Sequence, residues 1–236
     1  MRTEPYAKLE LCLITDTVID MPNHCENQMR VKGSKLALDN FIQQITRTRI
    51  EDDGTANTFI DIAHCVKPIP ADLQITSGSF GNNEDGSPSE TQLAYDRLYA
   101  QNKEKYGFSD WYGWSNANYG TKWGDYEGTL TRDSDNEVTY TFTTAWAPFN
   151  ESFMEFFAEK FPELNVVYTY SETGMNFMGC YIIAEGDGVV YSADSEIPDI
   201  EESLDDEGEP NWEEHYEKVN EAIHAYNKFV ETIAPF

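Results

Sequence analysis

The sequence predicts an α+β fold: a ferredoxin-like split βαβ antiparallel sheet with helices on one face, an insertion, and an extra C-terminal helix. Three observations carry this expectation. Segments near Cys25, Val138, Val166 and Phe177 alternate or run apolar as strands do. Two segments, 34–45 and 151–161, place apolar residues at helical spacing. In chain order these give strand, helix, strand, insertion, strand, helix, strand, strand.

Each element has a local cause. Cys25, Asn27, Met29 and Val31 share one face of a strand that Lys32-Gly33 ends. Ser34 caps a helix whose stripe is Leu38, Phe41, Ile42 and Ile45. Glu51 to Gly54 forms a turn before a second strand, Thr58 to Ile62, and Pro68 and Pro70 then stop regular structure. Residues 71–135 look like an insertion: a Gly, Ser, Asn and acid-rich loop over 77–90, a helix over 91–105, and a segment dense in aromatics from Trp111 to Trp123. Val138, Tyr140 and Phe142 alternate with threonines in a strand. Asn150 caps the helix from Glu151 to Phe161, which Pro162 ends. Val166–Tyr170 and Phe177–Ile183 form a hairpin around Gly174, and a short strand is expected near Val189.

The boundaries follow: an N-terminal extension over 1–20, the ferredoxin-like domain over 21–193, an acidic linker over 194–210, and a helix over 211–236. In that helix Asn211 and Glu214 have capping-box spacing. Trp212, Tyr216, Val219, Ile223, Tyr226, Val230 and Ile233 form an apolar seam that docks on its own domain, builds a homodimer or meets a partner. His215 and His224 are expected on the surface.

Charge limits function most. The chain has 43 acidic residues against 16 Lys and Arg, a net charge of −27. A polyanion gains no counterion-release energy from nucleic acid and is repelled by anionic membranes. Basic protein surfaces or metal cations remain as partners, or none at all, since high charge also keeps a protein soluble. No segment approaches membrane-spanning length. The cysteines Cys12, Cys25, Cys65 and Cys180 show no disulfide-scaffold spacing, so a reducing cytoplasm is the expected compartment.

Five segments resemble one family. Met21-Pro-Asn-His-Cys-Glu-Asn27, Val66-Lys-Pro-Ile-Pro70, Asn118-Tyr-Gly-Thr-Lys-Trp123, Thr143-Thr-Ala-Trp-Ala-Pro148 and Phe161-Pro-Glu-Leu164 are similar, in this order, to signatures of the YubB-type ferredoxin-like domain proteins of bacteriophages and conjugative plasmids. The resemblance spans about residues 21–190. It implies the ferredoxin-like fold and a mobile-element origin, and carries over no catalytic residue.

Three candidate sites stand out. The first is a partner-binding surface of Glu201, Glu202, Asp205, Asp206, Glu207 and Glu209 with Trp212 and Tyr216; no Lys or Arg occurs from Phe161 to Glu217. The second is a ligand platform of Trp111, Trp114, Tyr119, Lys122 and Trp123, whose residues serve equally well as cover for the sheet. The third is a zinc site from His24-Cys25 and His64-Cys65, which requires strand neighbours and convergence against the alternation of a strand. Buried cysteines are the simpler account. No P-loop, dinucleotide fingerprint, EF-hand or HExxH pattern is present, and no cofactor is expected. The expected function is a non-catalytic acidic protein of a mobile element that binds and inhibits or modulates a host or defence protein, by nucleic-acid mimicry in its strong form. The alternative is a small-molecule or nucleotide-binding module built on the Trp111–Trp123 segment.

Overall fold

The computed structural model describes residues 23–75, 81–199, 203–204 and 208–236; the expectations for residues 1–20, with Cys12, lie outside them. A six-stranded antiparallel sheet has the order β4–β5–β1–β6–β7–β8: Tyr126–Ser134, Glu137–Ala145, His24–Lys32, Asn165–Glu172, Phe177–Ala184 and Gly188–Glu196. Helices α1 (Lys35–Ile45) and α5 (Glu151–Lys160) complete the ferredoxin-like unit, β1-α1-β4-β5-α5-β6. Strands β5 and β6 both run antiparallel to β1, which lies between them. They are therefore parallel to each other and joined through α5, which is the split βαβ arrangement.

Alternation on β1 builds the first layer. Cys25, Met29 and Val31 turn toward α1 and α5 and are fully buried there with Phe41, Phe153 and Phe157. Ser34 accepts from the Ala37 N–H, and Asn150 from the Phe153 N–H, at the two helix starts. Helix α6 (Trp212–Ile233) covers the opposite face: Val230 packs on Val167, Cys180 and Ile182, and Val219 on Met178. The C-terminal seam thus docks on its own chain as a third layer.

The sheet differs from the sequence expectation in one strand. Residues around 58–62 do not enter it. They form β3 (Ala56–Ile60), which pairs with β2 (Thr46–Ile50) in a separate hairpin. The second ferredoxin strand is β4, inside the stretch read as insertion, so the inserted residues lie between α1 and β4 instead, the β2–β3 hairpin included. They also hold α2 (Ile62–Val66), α3 (Glu90–Tyr106) and α4 (Trp111–Asn118). The reason is burial. An edge strand needs little apolar alternation, and β4 buries only part of Tyr126 and Leu130. The expected short strand near Val189 is the nine-residue β8, so Asp194 to Glu196 belong to the sheet rather than the linker.

If α6 is held by its seam, Val230→Asp detaches it, at a cost on the order of 3 kcal/mol for placing an unpaired polar group in a core site. Thiol labelling reads this directly: Cys180 lies under α6 and Cys25 on the far side. We expect Cys180 to become reactive while Cys25 stays protected; equal reactivity of both would mean that the whole domain unfolds instead.

Candidate functional site

The two most distinctive motifs of the sequence meet in space. Gly120 has φ +84°, and a Cβ there would lie 2.8 Å from Asn150 and 2.9 Å from the Pro148 carbonyl oxygen. Glycine is required for this approach. The Thr121 hydroxyl donates to the Ala145 carbonyl at 2.8 Å, and the Asn150 N–H to the Tyr119 carbonyl at 2.9 Å. Trp146 holds a φ of 72°, unusual for a bulky side chain, and its N–H reaches the Asn23 carbonyl. The Asn118–Trp123 and Thr143–Pro148 segments therefore form a clasp that fixes the turn from β5 into α5.

This clasp removes most of the expected ligand platform. Trp114 and Tyr119 belong to the core, the latter with its hydroxyl donating to the Lys67 carbonyl at 2.6 Å. Trp111 is half-buried against Tyr112, and only Trp123 stands out, with the Lys122 ammonium 4.4 Å from its ring centroid. The tryptophan segment serves mainly to cover the core.

The two His-Cys pairs are not neighbours. Strand β1 lies between β5 and β6, while His64 and Cys65 sit on α2. On β1, His24 faces outward to Tyr126 and Cys25 inward, as alternation requires. The His64 Nδ1 is 2.8 Å from Asp61, which also accepts from Arg47. Among the described residues no group of three or more His, Cys, Asp or Glu side chains is arranged for a metal. Burial pushes the Cys25 thiol up to about 12 and raises that of Cys65, both away from nucleophilic thiolates.

Of the expected partner surface, Glu201, Glu202, Asp205, Asp206 and Glu207 lie outside the described residues. Glu209 is exposed, as are Trp212 and Tyr216 on the first turns of α6. His215, expected on the surface, is buried at 7% exposure because it takes the place in the seam that Tyr216 was assigned. His224 is exposed as expected.

Sequence reasoning missed a groove between α5 and strands β7–β8. One hollow, of about 450 Å³, is bounded by the clasp residues Gly120, Pro148 and Asn150 and by Tyr170, Phe177, Tyr181 and Asp194. The next, of about 580 Å³, runs between Glu151, Glu155 and Glu159 on α5 and Ile183, Asp187 and Val189. Gly179 lets Tyr170 reach Asp194, since a Cβ there would collide with the Tyr170 ring; the phenol donates to the carboxylate. Burial, then Asp194 and Glu151, raise the Tyr181 phenol. The signal was present as glutamates at i, i+4 and i+8 on α5, hidden among many carboxylates.

Residues 118–211 match the family model described as the ferredoxin-like domain in Api92-like protein. The matched span holds the clasp, β4 to β8 and α5. Among solved structures, the protein api92 from Yersinia pseudotuberculosis is similar at 12% identity with a TM-score of 0.45, over 75% of this chain and 99% of that one. No curated protein matches the chain. No helix among the described residues is long and apolar enough to cross a membrane.

A second carboxylate ties the inserted segment to the sheet. Asp125 accepts from the Ile62 N–H at 3.0 Å, the Ala63 N–H at 2.8 Å and the Tyr140 hydroxyl at 2.7 Å. Burial raises its ionisation above the usual carboxylate range despite these donors. A raised folded-state value favours folding below the unfolded value and loses that advantage as pH rises through the folded one. Asp125→Asn lacks the second acceptor and does not titrate. In urea unfolding it should be less stable than native by about 1–3 kcal/mol at low pH, with the gap narrowing as pH rises above about 4. A gap that widens with pH would show that the donors outweigh the burial.

Proposed function

We propose that this chain is a non-catalytic acidic protein that binds and modulates a protein with a basic surface. In this reading it is encoded by a mobile element and acts in the host cytoplasm on a host or defence protein. Its carboxylates stand where nucleic-acid phosphates would. The observation that carries the reading is a sheet divided by charge. Strands β6, β7 and β8 are consecutive neighbours at one edge, and none contains a Lys or Arg. The cations of the sheet, Arg30, Lys32 and Arg132, lie on β1 and β4. A one-sided negative field steers cationic protein toward that side and repels polyanions.

Other features support the same reading. The raised thiols of Cys25 and Cys65 do not suit covalent catalysis. Among the described residues Asp61 is the one carboxylate paired with a histidine ring, and it is spent on capping α2 and on Arg47. A mobile-element origin rests on the five YubB-type signatures, two of which build the clasp. Of its platform the small-molecule alternative keeps only Trp123 exposed, with Lys122 half-buried beside its ring, which is a thin basis for a pocket.

The test is capture from host lysate with immobilised chain, beside an unrelated protein of equal net charge. We expect a basic protein retained by this chain alone and released at 1 M salt, where the Debye length is about 3 Å. Tight, salt-weakened binding of DNA or RNA would overturn the reading, as would retention no greater than that of the control.

A further inference from the structure

The groove between α5 and β7–β8 has three properties that separate it from a merely solvated acidic surface. Its floor is apolar and half open: Phe177, Tyr181 and Val189 are only partly buried, on the side of the sheet facing α5. Both of its walls are acidic, with Glu151, Glu155 and Glu159 on one side and Asp187 and Asp194 on the other. Among the described residues, none of the three glutamates has a salt bridge. Exposed aromatic faces beside unpaired carboxylates suit guanidinium groups, which stack on rings while pairing with carboxylates.

Spacing narrows the occupant. Glutamates four apart on a helix recur at about 6 Å. Alternate residues of an extended chain recur at about 6.6 Å. Tyr181 and Ile183, two apart on β7, repeat at that second spacing along the floor. A strand laid along the groove would therefore meet one glutamate with every second side chain. Among the described strands a second copy offers alternating cations only on β2, where Arg47 and Arg49 are already paired with Asp61 and Glu51, and on β1, which is enclosed within the sheet.

We propose that this groove docks an extended segment of a partner protein with arginine or lysine at alternate positions, the cations pairing with Glu151, Glu155 and Glu159. The inference rests on the reading of the chain as a binder of basic protein, and names the surface and the partner's chemistry. The full chain is titrated with a labelled octapeptide of alternating Arg and Val, by fluorescence polarisation at several salt concentrations. Controls are the peptide with Glu for Arg, and one with its four arginines consecutive. We expect salt-weakened binding of the alternating peptide, at least tenfold weaker in the E151Q/E155Q/E159Q variant and unchanged in Phe229→Ala, on the exposed side of α6 at the opposite face of the sheet. The three glutamates are exposed, so their amides leave the fold intact, which a thermal melt checks. Equal binding by native and triple-Gln protein, or equal binding of alternating and consecutive arginines, overturns the proposal. The lysate experiment keeps two failures apart: a basic partner retained equally by the triple variant sinks this groove alone, whereas no retained partner sinks the wider reading.

Discussion

The position of α5, and with it the groove, depends on one buried hydroxyl. Tyr168 on β6 donates to the Asn27 side chain at 2.6 Å and accepts the Phe149 N–H at 3.0 Å. Asn27 lies on the central strand and also donates to the Cys25 carbonyl and to Thr144. Three strands and the turn into α5 are thereby joined through a single polar cluster inside an apolar layer. Each of these groups left unmatched would cost about 1–3 kcal/mol, against a total stability of about 5–15 kcal/mol for a domain. A fully satisfied buried network of this kind specifies one arrangement, where apolar packing alone tolerates several. The ring of Phe149 stacks on Phe153 at 4.0 Å, which carries the fixed turn into the first turn of the helix.

With α5 so fixed, its surface charge is a choice that folding does not require. Glutamates four apart repel by about 0.2–0.5 kcal/mol per pair, and Glu159 sits near the negative end of the helix dipole. Elsewhere the chain pairs its acids with care: Asp39 meets both Lys35 and Arg132, Asp72 meets Lys105, and Glu137 and Glu231 share Arg30. The scarce cations are thus used on α1, the inserted segment, the central strand β1 and the edge strand β4. The one cation of α5, Lys160, donates to the Cys65 carbonyl rather than pairing with the glutamate row. Local unfavourable choices of this kind concentrate where a protein does its work.

The legible parts of the fold are those whose cause is local. Ser34, Asn150 and Asn211 cap the helices that their positions announced, because a cap is a contact over three residues. The alternation of β1 and β5 was visible because each buries a full face. Strand β4 was not, since an edge strand with a threonine-rich exposed side carries almost no apolar period. The exchange of β3 for β4 follows from this, as the Thr58–Ile62 run looks more apolar than the strand that enters the sheet. His215 shows the same limit at one residue: a helical seam fixes a period, not which of two adjacent side chains faces the sheet. The groove was least legible, because its walls come from α5 and β8 and its end from the clasp, segments separated by much of the chain.

The clasp also explains why the most recognisable motifs are not themselves the site. Gly120, Thr121, Tyr119 and Trp146 are constrained by close approach, by hydrogen bonds to backbone carbonyls and by a left-handed backbone at a tryptophan. Such constraints leave few substitutions, so a sequence signature arises from geometry alone, without a ligand. What the clasp does is hold Pro148 and Asn150 at one end of the groove, and so set where Glu151 begins the acidic row. A row of carboxylates, by contrast, tolerates Asp for Glu and small shifts of register, and leaves little trace in sequence. The motif therefore fixes the frame, and in the reading proposed above the carboxylates of α5 decide which cationic surface that frame meets.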